Sequence, residues 1–282
     1  MKKWLSFLLV LAISISFAGC AKQAAPAETA QDGKTVVKVG IGNEFSPPFL
    51  LLDDQKQPIG YDMDYLNELQ KKLPEYQFQY ELGGDETQLI GTSTGKYAFA
   101  INFYFKNAER AQKFLYPENP YGYSATALVT KTDRNDIQSF GDLVGKKLTP
   151  MAASGGLRGI INHYNSTHPD KQVAIESIDN PSHAENLKTV ANGKADASFL
   201  NAITFQEVNK NLKLDLKISG IVSKEPVYVV FNQSQTELAK KIDAATAEMT
   251  KDGTLTKLSE KWFNLDLFQD LDTVTKAYQN HQ

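Results

Sequence analysis

Residues 35–73 read "TVVKVGIGNEFSPPFLLLDDQKQPIGYDMDYLNELQKKL" and join two different periodicities. In the first eight residues Val37, Val39 and Ile41 alternate onto one face, which is the pattern of a half-buried strand. In "YDMDYLNELQKKL" (61–73) Met63, Leu66, Leu69 and Leu73 recur at helical spacing. Asp62 reads as the helix N-cap and Pro74 as its stop. The alternation continues through a strand "QFQYEL" (77–82), a short helix "TQLIGTSTG" (87–95) and a strand "YAFAINF" (97–103). A helix "NAERAQKF" (107–114) follows, opened by Asn107. Strands alternating with helices imply a mostly parallel α/β sheet.

The same order restarts downstream. "SFGDLVGKKLTPM" (139–151) gives a short helix and a strand, and "SGGLRGIINHYNSTHP" (154–169) a glycine-rich turn running into a helix. "QVAIESI" (172–178) reads as a strand. "SHAENLKTVANG" (182–193) is a helix with Leu187 and Val190 inward and Gly193 as its stop. "KADASFLNA" (194–202) and "PVYVVFN" (226–232) are strands, and helices cover 236–253 and 254–263. The two series imply two α/β lobes, in keeping with the roughly 260 residues left once an N-terminal leader is set aside.

That leader is residues 1–19, opening "MKKWLSFLLVLAISISF" (1–17): two lysines and an apolar run too short to span a bilayer, the signature of a secretory signal. Ala18 and Gly19 then precede Cys20, the only cysteine in the chain. The arrangement resembles a bacterial lipobox, with Phe17 in place of the usual leucine, and implies lipidation of Cys20. Residues 20–34 are Ala-rich, polar and aperiodic, a tether rather than a packed segment.

With 30 basic and 33 acidic residues the formal net charge is −3, and no basic block points to nucleic acid. One cysteine excludes a disulfide framework and a zinc–thiolate site. His163, His168, His183 and His281 lack metal-ligand spacing, so neither a metal nor a cofactor is expected.

The ordered set "VGIGNEFSPPF", "IGYDMDYLNEL", "NAERAQKFLYPENPY", "GDLVGKKL", "NGKADASFLNA" and "KDGTLTKLSEKWF" resembles the family 3 solute-binding proteins of polar amino acid ABC importers, over roughly residues 36–263. The resemblance implies a two-lobe type II periplasmic binding fold with a two-strand hinge. Lobe 1 would hold 35–127 and 225–265, lobe 2 would hold 128–224, and 266–282 would be a C-terminal tail. It implies a monomer held at the outer face of the cell membrane by its lipid alone. There it would capture an amino acid or a similar solute for a permease and its ATPase.

Arg110, three residues after the cap Asn107, matches the family's arginine for the ligand α-carboxylate, a role that suits a guanidinium fork in a first helical turn. Ser154 and Gly155 stand where the family has Gly-Thr-Thr, so a backbone contact to that carboxylate is implied. Phe45 is the candidate for stacking on the ligand side chain, with Phe49 behind it. Asn102, Tyr104 and Phe105 belong to the same set, the two aromatics either adding surface to the cleft or filling it. Asn201 replaces the family's ammonium-binding Asp. Glu86, or Asp85 one residue earlier, falls where many members carry an aromatic, so the ammonium partner is Glu86 or Asn201. The alternative reading is a cyclohexadienyl dehydratase-like lyase on the same fold, for which Glu86 would be the acid or base.

Overall fold

The computed structural model describes residues 30, 33–42, 47–179 and 181–280. Strands β1 (Thr35–Gly42), β2 (Leu51–Leu52) and β3 (Pro58–Ile59) lead into helix α1 (Tyr61–Lys72). Then come β4 (Tyr76–Gly83), α2 (Asp85–Thr94), β5 (Phe99–Phe105), α3 (Ala108–Lys113) and β6 (Gly122–Lys131). After one 3₁₀ turn at Phe140–Leu143 come α4 (Gly156–Thr167), α5 (His183–Ala191), β7 (Ser198–Asn201) and α6 (Ala202–Leu212). The chain closes with β8 (Leu216–Phe231), α7 (Thr236–Lys251), α8 (Thr254–Phe263) and α9 (Leu271–Asn280).

Six strands form one sheet in the order β4-β1-β5-β8-β6-β7. β1 pairs in parallel with β4 and β5, as the strand–helix alternation requires, while β8 is antiparallel to both β5 and β6. β8 is therefore a single strand whose two ends serve different parts of the sheet. Its end near Phe231 faces β5, and its start near Leu216 faces the far end of β6.

The predicted inward face of α1 is buried at Met63, Leu66, Leu69 and Leu73. α1 packs with α7 and α8, and the Tyr65 hydroxyl meets Thr246 Oγ1 at 2.6 Å across that seam. A separate core gathers Leu128, Ile137, Phe140, Leu148, Ile161 and Phe199 in the middle of the chain.

The structure corrects several local expectations, among them the strand read within 139–151, which is reduced to single bridges from Leu148 to Ala197 and from Met151 to Ser177. Asp62 is not the cap of α1. Gly60 holds that position at φ 130°, with the Phe49 carbonyl where a Cβ would stand, and Asp62 is buried instead. Residues 172–178 form no strand beyond a single bridge at Ser177 to Met151. Residues 202–212, left unassigned in the sequence, are α6. The C-terminal stretch is not a tail: α9 lays Val274 and Tyr278 against β8, both fully buried. Just before it, the Lys224 ammonium of β8 binds the carbonyls of Leu267 and Gln269. The same ammonium stands 4.2 Å from the Tyr123 ring of β6, which in turn meets Phe268 edge-on.

No helix among the described residues is long and apolar enough to cross a membrane. Among them, no cluster of three or more His, Cys, Asp or Glu is placed to hold a metal ion.

Candidate ligand-binding cleft

The carboxyl end of β5 and the start of α2 face the start of α4 across a cavity of about 290 Å³. Openings of this kind beyond strand ends are where α/β sheets hold ligands. One wall carries Asp85, Asn102, Tyr104, Phe105 and Arg110, and the other Met151, Ser154, Gly155 and Arg158. A wider space of about 1010 Å³ adjoins it, sharing Asp85, Arg110, Ser154 and Gly155.

Arg110 is set by its own helix start. Asn107 Oδ1 accepts from the Arg110 amide at 2.8 Å, the expected cap. The side chain is 17% exposed and its guanidinium carbon stands 5.1 Å over the Tyr104 ring. It reaches the Phe105 carbonyl at 3.4 Å and Asp85 at 3.8 Å. These contacts are long, so the planar fork retains capacity for a carboxylate. Asp85, the first residue of α2, also accepts from Asn102 Nδ2 at 3.1 Å. Arg110 and Asp85 thus stand side by side in one wall, a cation and an anion that complement the two charges of an amino acid's backbone.

Tyr104 is 2% exposed and its hydroxyl, near Asp85, has no hydrogen-bond partner within range among the described residues. Burial raises its pKa well above the ordinary value, with the Asp85 charge adding to the effect, so the phenol stays protonated and can donate. Its direction is fixed by a break in the strand. The β5–β8 register shifts between Ala100 and Tyr104, and Phe103 within that shift has φ 52°. A bulge of this kind re-aims the side chains beside it. The Phe103 ring turns into the core, 4.3 Å from Phe49. Its amide donates to the Tyr121 hydroxyl at 2.9 Å, and that hydroxyl donates to buried Asp62 at 2.7 Å. Burial raises the Asp62 pKa to about 7 against the opposing effect of that hydrogen bond.

Across the cleft, α4 begins at Gly155 with φ 105° and has no side-chain cap, leaving its first amides without that partner. Gly156 lies directly under the Phe105 ring. Of the two readings of Phe105, it both lines the cavity and fills part of the cleft.

Two expected positions fall elsewhere. Asn201 is not in the cavity wall. Its Oδ1 caps α6 through the Ile203 amide at 2.9 Å and its Nδ2 donates to Ser124 at 2.5 Å, so both ends are occupied. Glu86 is exposed and borders only the wider outer space, whereas its neighbour Asp85 reaches the inner cavity. Phe45, Cys20 and His281 lie outside the described residues. Arg158, Met151, Asn186 and Phe199 were missed in the sequence. "AASGGLRG" carried the only available signal, an arginine with no acidic residue near it in sequence.

The model of the bacterial extracellular solute-binding proteins, family 3, matches residues 37–265. The chain belongs to this family. Among family 3 relatives, the L-cystine-binding protein TcyJ of Bacillus subtilis (strain 168) is 29% identical over 240 residues, 85% of this chain and 87% of its own. The probable amino-acid-binding protein YxeM of the same organism is 29% identical over 270 residues, 95% of this chain and 97% of its own. A solved structure described as a putative L-cystine ABC transporter from Listeria monocytogenes superposes with TM-score 0.64 at 28% identity, covering 80% of this chain and 95% of that one. Another, from work on glutathione import in Gram-positive bacteria via GshT and the cystine importer TcyBC of Streptococcus mutans, gives TM-score 0.70 at 25% identity over 85% and 99%. The chain has the two-lobed type II periplasmic binding fold of these neighbours.

Proposed function

We propose that this chain captures an amino acid or a related solute outside the cytoplasm and delivers it to an ABC importer. The observation that carries this reading is the pairing of Arg110 and Asp85 in one cavity wall, opposite the uncapped start of α4. In that arrangement Arg110 and the amides near Ser154 and Gly155 hold the α-carboxylate, and Asp85 accepts from the ammonium. Asn102 orients Asp85, and Tyr104 and Phe105 supply aromatic surface.

Lobe 1 (35–127 and 225–265) and lobe 2 (128–224) close on the solute about β6 and β8. Ligand contacts from both walls favour the closed form over the open one. The protein acts as a monomer and performs no chemistry on its cargo. The relatives are binding proteins of importers, and nothing favours the dehydratase-like lyase. Cys20 carries the lipid that keeps the protein at the outer membrane face. Two acyl chains give a stable hold where one binds reversibly. Detergent phase partitioning of wild type and Cys20→Ser tests the anchor; equal aqueous partitioning of both removes it.

Mass spectrometry of solute released on denaturing the purified protein tests the capture function, with thermal shift as its complement. A ligand at 100 times its Kd stabilises by ~2.7 kcal/mol. No release and no shift with any amino acid or small peptide refutes it.

A further inference from the structure

The chain contains three arginines, Arg110, Arg134 and Arg158. Arg134 pairs with Asp136 at 2.6 Å and Asp196 at 2.5 Å, and Arg110 stands beside Asp85 at 3.8 Å. Arg158 has no carboxylate partner among the described residues, although it is 9% exposed. Its Nε donates to the Ala152 carbonyl at 3.1 Å. One terminal nitrogen reaches the carbonyls of Met151 and Glu176, each at 3.3 Å, and Ser177 Oγ at 2.9 Å. The other terminal nitrogen makes no hydrogen bond within the described residues. Neutral acceptors satisfy N–H groups but do not cancel the charge, and a buried charge without a counter-ion is expensive.

Arg158 stands in the wall of the same cavity as Arg110 and Asp85. Desolvation keeps the pKa of His183, also in that wall, below its ordinary value, so it is neutral at pH 7. Among the described residues, the charged groups of the inner wall are then two arginines and one aspartate, an excess of one positive charge. A zwitterion leaves that excess in place when the cleft closes, and a solute of net charge −1 removes it. The Tyr104 hydroxyl, which has no hydrogen-bond partner within range among the described residues, adds a further donor to a cavity already rich in donors.

Resting on the capture function proposed above, we infer that the solute is an anionic amino acid or small peptide bearing a second acid group, which Arg158 selects. The first carboxylate goes to Arg110, the ammonium to Asp85 and the second acid to the open edge of the Arg158 fork.

Calorimetry on ligand-free protein with matched acid and amide pairs tests this. The pairs are L-glutamate with L-glutamine, L-aspartate with L-asparagine, and glutathione with its glycine amide; L-cystine is the neutral diacid. At least one acid should bind ~10-fold or more tighter than its amide. In Arg158→Gln, which keeps an amide donor for the backbone carbonyls, that ratio should fall to near unity while affinity for the amide persists. Amides that equal their acids in the wild type overturn the inference even if the variant fails to fold. So does an undiminished ratio in Arg158→Gln, or L-cystine binding tighter than every acid. These outcomes leave the capture function standing; no binding by any amino acid or peptide overturns both.

Discussion

The Phe105 ring occupies the space that a side chain on residue 156 would need, with its Cβ and Cγ as well as the ring edge in the way. The obstruction lies near the root of the side chain, so a rotamer change does not relieve it. Gly156→Ala should therefore force β5 and α4 apart at the cavity. Overpacking of this kind costs ~1–3 kcal/mol, or roughly 5- to 150-fold in affinity. Phe105→Ala in the same chain should restore much of the loss. Calorimetry of both variants decides it, and full affinity in Gly156→Ala alone would contradict the contact.

Arg110→Ala removes the cation proposed to receive the α-carboxylate. The expected loss is ~2–5 kcal/mol of binding free energy. Arg110→Lys should also weaken binding, because an ammonium lacks the planar two-donor edge. A titration in which the alanine variant stays within twofold of wild type sinks the assignment.

Asp85 and Glu86 are adjacent in sequence, but only Asp85 reaches the inner cavity. Asp85→Asn should lower affinity by at least ~10-fold, since the ammonium of the proposed ligand then loses its only charged acceptor among the described residues of the inner cavity. Glu86→Gln, on the exposed face of the same helix start, should change it by less than about twofold. Reversal of that order would move the ammonium partner to Glu86.

Asp62 couples stability to pH. Its folded pKa is about 7 against 3.8 for the free group, so the unfolded chain releases its proton first. The stability associated with protonated Asp62 is complete below pH 3.8 and is lost as pH rises to about 7. Relative to Asp62→Asn, the wild type should lose up to ~1.4 kcal/mol per pH unit within that window. Urea unfolding of both proteins across the range measures the slope, and parallel curves would show that Asp62 ionises freely.

Much of the first half of the fold was legible because its periodicities are local. β1, α1 and the Asn107–Arg110 helix start need only nearby residues to declare themselves, and α7 and α8 are as plain. β8 was half seen. "PVYVVF" reads as a strand, but Gly220 and Ser223 interrupt the ten residues before it, and pairing with β6 overrides that local weakness. Asp62 misled because an acid in a first turn looks like a cap, whereas only a glycine fits the φ that α1 requires just before it. α9 carried Leu271, Val274 and Tyr278 at helical spacing, yet its partner surface on β8 cannot be read from the segment itself. At the site, Arg110 was legible from its motif. Arg158 was not, because its lack of a carboxylate partner among the described residues exists only in three dimensions.

The central position of β8 also fixes the order in which the protein can be finished. Phe99 of β5 waits for Phe231, and Gly122 of β6 waits for Val227. Until that late strand has been synthesised, β5 and β6 each present an unpaired edge, and the sheet exists only as two incomplete pieces. Such distant pairing is slow to form, and open edges invite association with other chains. Completion of the sheet therefore falls after most of the polypeptide has been made. A substitution that weakens β8 should accordingly show itself first as poor yield and aggregation, ahead of any change in what the finished protein binds.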